Sequence, residues 1–310
     1  MPARPGSGRE PLPSFPAPWL AASDGEPLPA TRADPDRPLG HVPVPVTVLD
    51  QESFETGIPN IARIYDALLG GKENYAVDRE AALALTAAIP GAARAARDNR
   101  AFLGRAVHHL AAEAGISQFL DIGTGLPTQG NVHEMAQAVN PEARVVYVDN
   151  DAVVVSHGRA LLAKAPGVLA VEGDLRYPRE LLGRKEVREV LDLTQPVAVL
   201  LVAVLHFLGN SDSPWRAVSA ITRRIAPGSY VAVSHVTGDD IPAEAVEQAG
   251  TIYRKAFVQG TARRRSEIMR FFEGLELIDP GLVDAATWRS GREQEAAGPT
   301  LFWAGIGRKR

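Results

Sequence analysis

A chain of 310 residues, 45% of them hydrophobic, is long enough to bury the core of one large domain. Its net charge of −4 provides no overall attraction to nucleic acid or to an anionic membrane. Because the chain contains no cysteine, disulfides, thiolate nucleophiles and cysteine metal sites are excluded.

The first 57 residues form a proline- and glycine-rich segment with little hydrophobic periodicity. Such a composition is typical of a disordered or loosely attached tail. The alternative is a short added strand, since four valines alternate near the end of this segment: Val42, Val44, Val46 and Val48. The segment lacks the apolar core of a secretory signal, and the longest apolar run, residues 196–208, is too short to span a membrane. We therefore expect a soluble, cytoplasmic protein.

Residues 58–115 are expected to form three helices ahead of the first strand, as a helical cap segment. Apolar residues from Ile61 to Leu69 recur at the spacing of an amphipathic helix, and Gly70-Gly71 ends it. Asp78 is predicted to cap the second helix, and a third helix covers about residues 98–114. Two interpretations stay open: the segment pads one face of a sheet, or it forms a lid hinged at the two glycines.

From residue 116 to the C-terminus, predicted strands alternate with helices. Five apolar strands are separated by segments of helical length, which is typical of a doubly wound, mostly parallel sheet. Two more strands near the C-terminus have only a loop between them and are expected to pair antiparallel. The seven strands are predicted near residues 118–122, 143–149, 168–171, 197–205, 229–236, 275–278 and 301–306. The predicted fold class is therefore α/β.

Acidic residues stand at the ends of the first three predicted strands. Asp121 precedes a Gly-Thr-Gly turn at residues 123–125, Asp149 ends the second strand and Asp174 follows the third. Since the carboxyl ends of neighbouring parallel strands meet at one edge, the three acids are expected to line one crevice. The spacing between the glycine turn and Asp149 suits a carboxylate that accepts hydrogen bonds from ribose hydroxyls.

Several motifs resemble those of the S-adenosylmethionine-dependent methyltransferases, and in particular a bacterial subfamily first catalogued as a domain of unknown function. The motifs are residues 65–75 (YDALLGGKENY), 120–128 (LDIGTGLPT), 146–151 (VYVDND), 200–207 (LLVAVLHF) and 272–277 (FEGLEL). The resemblance covers about residues 58–306 and implies a seven-stranded, Rossmann-like sheet ending in an antiparallel hairpin, with an N-terminal helical cap. It makes residues 116–310 the domain that binds S-adenosylmethionine. One departure is Pro127, where many members have a third glycine.

The resemblance implies how the adenosine part of the cofactor is held. Asp149 would accept hydrogen bonds from both ribose hydroxyls, and Asn150 follows it in the same motif. Asp174 would face the adenine amino group, with Leu175 packed on the ring.

The methionine part is expected at the glycine turn. Gly123 and Gly125 would let the backbone approach it closely, and Asp121 would interact with its ammonium group directly or through water. Lys72 and Arg100 are candidates for its carboxylate.

The remaining predicted site residues surround the sulfonium. Tyr65 and Tyr75 would shelter it by cation–π contact, and Asn74 belongs to the proposed lid. Ala203 lies at the end of the fourth strand and is assigned to the cofactor side. His206 is the candidate general base, and its alternative role is to shape the pocket as a hydrogen-bonded residue.

No metal is predicted, because the histidines lack paired metal-ligand spacing. Three arginines at residues 263–265 are interpreted as a solvated face rather than a nucleic-acid contact. The expected function is methyl transfer to a small molecule, with no nucleic-acid or membrane partner and with the oligomeric state left open. One alternative is a cofactor-binding regulator or assembly subunit that transfers no methyl. The other is an NAD(P)-dependent oxidoreductase, which is disfavoured because Thr128 replaces a fingerprint glycine and no Tyr-x-x-x-Lys dyad occurs.

Overall fold

The structure is a computed structural model that describes residues 57–127, 130–162, 165–291 and 299–310. The predicted N-terminal tail, with its alternating valines, lies outside the described residues except for Gly57. No helix in these ranges combines the length and the apolar character that a membrane span requires.

One mixed sheet organises the described residues. Its strands are β1 (Gln118–Ile122), β2 (Arg144–Asp149), β3 (Val168–Glu172), β4 (Ala198–Val202), β5 (Tyr230–Val236), β6 (Glu276–Leu277), β7 (Val283–Asp284) and β8 (Phe302–Arg308). Their order is β3-β2-β1-β4-β5-β8-β6, and the two-residue β7 also pairs with β8. The first five strands are parallel, whereas β8 is antiparallel to β5, β6 and β7. The predicted parallel sheet with an antiparallel end is confirmed, and β7 is an addition to the seven expected strands.

Helices accompany the strands on both faces of the sheet. Within the described ranges they are α1 (Ile61–Leu69), α2 (Ala76–Ala88), α3 (Ala92–His108), α4 (Val132–Val139), α5 (Ala152–Leu162), α6 (Pro178–Gly183), α7 (Lys185–Val190), α8 (Pro214–Thr222), α9 (Ala243–Lys255) and α10 (Arg265–Met269). In β1, Leu120 belongs to one buried apolar cluster and Phe119 to another. Since successive strand residues point to opposite faces, the two clusters are the two sides of one core. The winding reverses between β1 and β4, so a crevice opens there at the carboxyl ends of the strands.

Hydrogen bonds join the first helix to the second and to the sheet. Asn60 is the N-cap of α1, and its side-chain amide donates to the carboxylate of Asp151 beyond β2. The sequence predicts Asp78 as the N-cap of α2, but the N-cap is Tyr75 and Asp78 is the third residue of the helix. Its buried carboxylate accepts from the backbone N–H groups of Tyr75 (2.9 Å) and Asn60 (2.8 Å) and from Nε of Arg63 (2.6 Å).

The fourth strand is shorter than predicted, and this difference forms part of the site. β4 ends at Val202 because Ala203 adopts a left-handed conformation, with φ of 55°. The chain then makes a 3₁₀ turn at Leu205–Phe207 instead of continuing the strand. His206 therefore lies in a turn beyond the strand end.

Candidate functional site

A cavity of about 770 Å³ opens at the carboxyl ends of the parallel strands and is also lined by residues of α1, α2 and α3. This volume is within the usual range of small-molecule sites. We call its lining residues from segments 121–126, 149–151 and 173–176 the strand-end half, which contains four aspartates. The lining residues from segments 203–208, 236–237, 253–259 and 301–302 form the uncharged half. Among the described residues, no lining residue from these four segments is aspartate, glutamate, lysine or arginine.

The glycine turn after β1 presents bare backbone to the cavity. Gly123 has φ of 75° and Gly125 has φ of 65°, a region that residues with a side chain rarely adopt. A Cβ atom on Gly123 would also overlap the Val204 side chain, whereas one on Gly125 would meet open space. The Gly123 N–H donates to the carbonyl of Val148 (2.8 Å), so the turn is held against the end of β2.

Asp149 links the turn to the second strand. One carboxylate oxygen accepts from the Gly125 N–H (2.9 Å) and the other from the Asp151 N–H (3.0 Å). Burial raises the pKa of the Asp149 carboxyl, and these backbone donors oppose that rise. Because its two oxygens have four lone pairs between them, the carboxylate can still accept a further hydrogen bond beside those from the N–H groups of Gly125, Asp151 and Asn150.

Asp121 is a buried acid below the same turn. Its carboxylate accepts from the Thr124 hydroxyl (3.1 Å). Burial raises the pKa of Asp121 to about 6; the Thr124 hydrogen bond and the positive charge of Arg100 limit this rise, and Asp149 adds to it. Arg100 lines the cavity and donates to the Gly130 carbonyl (3.1 Å). The predicted neighbourhood of Asp121, Arg100 and the turn is therefore present in the structure.

Asp174 lies at the end of the strand-end half in a pair with Arg176. The guanidinium contacts both carboxylate oxygens (2.5–3.0 Å), and the Arg176 N–H donates to one of them (2.8 Å). Burial alone would raise the pKa of Asp174, but the Arg176 hydrogen bonds and charge lower it below its ordinary value. Contact with an adenine amino group, as predicted for Asp174, requires Arg176 to move. Leu175 is buried and lines the cavity beside this pair.

A hydrogen-bond chain that the sequence analysis missed joins the helical segment to the end of β4. The Tyr65 hydroxyl donates to the Ala96 carbonyl (3.1 Å) and accepts from the Asn99 amide (2.9 Å). Ser234 donates to the Asn99 carbonyl oxygen (2.5 Å) and its hydroxyl accepts from the Ala203 N–H (3.0 Å). The strained backbone of Ala203 is thus held by Ser234, which is in turn bonded to Asn99. No local motif signals this chain, since Asn99 and Ser234 are 135 residues apart.

His206 lies in the uncharged half and is 3% exposed. Burial, with the neighbouring His235 and Arg263, lowers the pKa of His206 well below its ordinary value, so the ring is neutral at pH 7. Nδ1 of His206 has no hydrogen-bond partner among the described residues. The hydrogen-bonded role considered for His206 from the sequence is therefore not what this structure contains.

Arg263 corrects the prediction of a solvated arginine face. It is 2% exposed, while Arg264 and Arg265 are exposed. Its guanidinium donates to the carbonyls of Leu205 (3.1 Å) and Leu208 (2.8 Å), which flank His206. A buried guanidinium thus holds the turn that carries the candidate base.

Four predicted site residues have other surroundings. Lys72 is exposed, and Tyr75 is 41% exposed with the Arg63 guanidinium 4.9 Å from its ring centre. Asn74 donates to the buried carboxylate of Asp66 (2.8 Å). The structure does not bring Lys72, Asn74 or Tyr75 to the cavity. Asn150 lines the cavity but is exposed.

The two hinge glycines have identifiable structural roles. Gly70 ends α1 in a left-handed conformation, with φ of 80°, and a Cβ on Gly71 would overlap the carboxylate of Asp66. The backbone conformation therefore requires glycine at position 70, and the packing against Asp66 requires it at position 71. Whether the following loop also closes over the cavity stays a prediction.

The strand-end half can accommodate a nucleoside with an amino-acid tail. Gly125 leaves open space where a side chain would stand, and Asp149 lines the same cavity. Leu175 supplies apolar surface for a base, and only the Asp174–Arg176 pair must rearrange. No cluster of three or more histidine, aspartate or glutamate side chains suited to a metal ion occurs in the described ranges.

Comparison with known proteins agrees with these features. The family model described as S-adenosyl methyltransferase matches residues 48–310. The chain resembles the crystal structure of a provisionally assigned methyltransferase from Thermobifida fusca YX, with 43% identity and a TM-score of 0.78 over 85% of this chain and 100% of that one. It also resembles a DUF574 family protein from Streptomyces avermitilis MA-4680, with 40% identity and a TM-score of 0.77 over 82% of this chain and 99% of that one. No curated protein matches the chain. The chain therefore belongs to the S-adenosyl methyltransferase family, and its cofactor is S-adenosylmethionine.

Proposed function

We propose that the protein catalyses methyl transfer from S-adenosylmethionine to a small molecule. The observation that carries this proposal is the continuity of one cavity from the aspartate-rich strand-end half to the uncharged half. A cofactor held in the first half would present its methyl group toward the second, where a methyl acceptor is enclosed by protein. Enclosure on this scale suits a small molecule better than a macromolecular surface.

Different residues of the chain would bind the ribose, the adenine and the methionine portion of the cofactor. Asp149 accepts from the ribose hydroxyls, and Leu175 packs on the adenine. The backbone at Gly123 and Gly125 contacts the methionine portion, and Asp121 lies near enough to the turn to attract its ammonium group. Arg100, whose charge acts on Asp121, would attract the carboxylate.

When bound, the cofactor supplies an electrophilic methyl group on a sulfonium. The protein then has to align the methyl acceptor, exclude water and take up any proton that the acceptor loses. Tyr65 lines the cavity with its hydroxyl already bonded to Ala96 and Asn99, so its ring is held in place. The neutral ring of His206 is available to accept a proton. General-base catalysis of this kind contributes roughly 10²–10⁴-fold to a rate.

The proposal is tested with methyl-labelled S-adenosylmethionine and a bacterial extract. We expect label in the small-molecule fraction, and strongly reduced label with Asp149→Asn. The matched control is Glu186→Gln, which changes an exposed acid on α7 and should leave labelling unchanged. Label confined to protein or nucleic acid would contradict the small-molecule assignment. Binding of S-adenosylhomocysteine without any transfer would instead support the non-catalytic regulator.

A further inference from the structure

The uncharged half has a composition that restricts what it can bind. None of the residues in its defining segments has an ionised side chain, while Asp212, which also lines the cavity just after Leu208, accepts from the Gly209 N–H (2.8 Å). A carboxylate or phosphate placed there would lose hydration without gaining an opposite charge, and an ammonium group would find only the Asp212 carboxylate, which already accepts from Gly209. The part of the methyl acceptor that enters this half is therefore uncharged.

Aromatic rings form much of its wall. Phe207 lies between His206, at 4.2 Å between ring centres, and Tyr253, at 5.8 Å with near-perpendicular planes. Phe302 lies 6.1 Å from His206 on another side, and Phe257 lines the cavity while 82% exposed. Several aromatic side chains thus line one space, which suits a flat ring that stacks or packs edge-on.

One polar group in this wall lacks a partner. His206 is buried and neutral, and neither ring nitrogen forms a hydrogen bond with a described residue. Nδ1 has no accessible surface, so a ligand in the cavity can reach only Nε2. Polar groups in native proteins are nearly always hydrogen-bonded, so an unpaired Nε2 at a cavity indicates that a ligand completes it. A neutral imidazole has one nitrogen that accepts, and a hydroxyl is the uncharged donor that can also serve as a methyl acceptor.

From these three observations we infer that the methyl acceptor is an uncharged aromatic molecule whose hydroxyl group donates to His206 and becomes methylated. The inference rests on the proposed function and names its substrate class. The hydroxyl oxygen forms a bond to the methyl carbon while the carbon–sulfur bond breaks and its electron pair goes to sulfur. The hydroxyl proton passes to the His206 ring and then to solvent.

Within the described ranges, His206 has no carboxylate partner that would stabilise its protonated form. The balance of charge nevertheless favours His206 as the proton acceptor. Among the reacting groups, the positive charge is on sulfur before transfer and on the imidazolium after it. The net charge of the cavity is therefore unchanged by the step, and the proton on His206 replaces a cation that was already there. Burial, and after it His235 and Arg263, the other basic groups facing His206, keep the ring neutral until then.

The test uses 2-naphthol as a probe, with 2-naphthoate, 2-naphthylmethylamine and 2-methoxynaphthalene as matched controls. With S-adenosylhomocysteine bound, we expect 2-naphthol to bind at least ten-fold more tightly than either charged analogue. With S-adenosylmethionine, we expect the methyl ether of naphthol as the product. His206→Gln should reduce its formation about 100-fold or more while S-adenosylhomocysteine binding is retained. His157→Gln, on α5 outside the uncharged half, should have no effect.

Two results would overturn the inference. One is binding of 2-naphthoate or the amine as tightly as 2-naphthol, a comparison that needs no variant. The other is full methylation of 2-naphthol by His206→Gln. Failure of S-adenosylhomocysteine to bind the wild-type protein would instead contradict the proposed function, so the two failures are distinguishable.

Discussion

The two halves of the cavity are built in opposite ways. In the strand-end half, carboxylates and backbone N–H groups already bind one another, as in the contact of Asp149 with Gly125. In the uncharged half, aromatic side chains surround an imidazole without a partner. The first is organised before any ligand arrives and reflects a cofactor with fixed chemistry. The second is completed by the methyl acceptor, so its unpaired groups indicate which chemical groups that molecule has.

The largest stability effect is expected at the glycine turn. Gly123→Ala adds both left-handed strain and an overlap with Val204, which together cost about 2–4 kcal/mol. Gly125→Ala is the matched control, because it adds strain alone and should cost about 1–2 kcal/mol. Urea unfolding of both variants measures the difference. Equal losses would show that close approach to Val204 does not constrain the turn.

Asp121 provides a test that depends on pH. Its pKa of about 6 in the folded chain exceeds the ordinary value of 3.8, so the native state binds the proton more tightly. Stability is therefore lost as pH rises from about 4 to about 6, and the loss then stays constant. Asp121→Asn avoids this penalty and should be more stable at pH 7.5 by up to about 3 kcal/mol, with little gain at pH 4.

Unfolding in urea at the two pH values, without cofactor, measures this gain. The depressed pKa values of His206 and His235 act in the opposite direction, lowering stability below pH 6.5, but they are common to both proteins and cancel in the comparison. A gain of the same size at both pH values would contradict a titrating Asp121. The same variant should bind S-adenosylhomocysteine more weakly, because it lacks the carboxylate that attracts the ligand's ammonium group.

A smaller effect is expected at Asp174. Arg176 occupies both of its oxygens, yet the pair is partly exposed and contributes at most about 1 kcal/mol. Arg176→Ala frees the carboxylate for adenine and should tighten S-adenosylhomocysteine binding by up to about five-fold. Calorimetry measures this affinity, and the control is Arg188→Ala, which removes a basic residue of α7. Weaker binding in Arg176→Ala would mean that the arginine itself contacts the cofactor.

The strand-end half could be predicted from the sequence because its parts are local. An acid, a glycine turn and a strand-end aspartate each occupy a few consecutive residues, and the parallel sheet brings their ends together. The fold followed from the same alternation of strands and helices. Even the shortened β4 alters little there, since the strand still ends beside the turn.

The uncharged half could not be predicted in the same way. Arg263 reads as one of three consecutive arginines, and only tertiary packing buries it against the carbonyls around His206. Asn99 and Ser234 meet across the fold, so neither has a sequence signal. In the loop after α1, Asn74 donates to the buried Asp66 carboxylate instead of reaching the cavity, a contact that spacing alone does not reveal.

The central claim is that cofactor binding belongs to the strand-end half and methyl-acceptor chemistry to the uncharged half. Calorimetric titration of S-adenosylhomocysteine into wild type, Asp149→Asn and His206→Gln tests it most directly. We predict that Asp149→Asn loses about ten- to a hundred-fold in affinity, the equivalent of roughly 1.5–3 kcal/mol for a charge-assisted hydrogen bond, while His206→Gln binds as wild type does. Unchanged affinity in a folded Asp149→Asn, or an equal loss in His206→Gln, would contradict the claim.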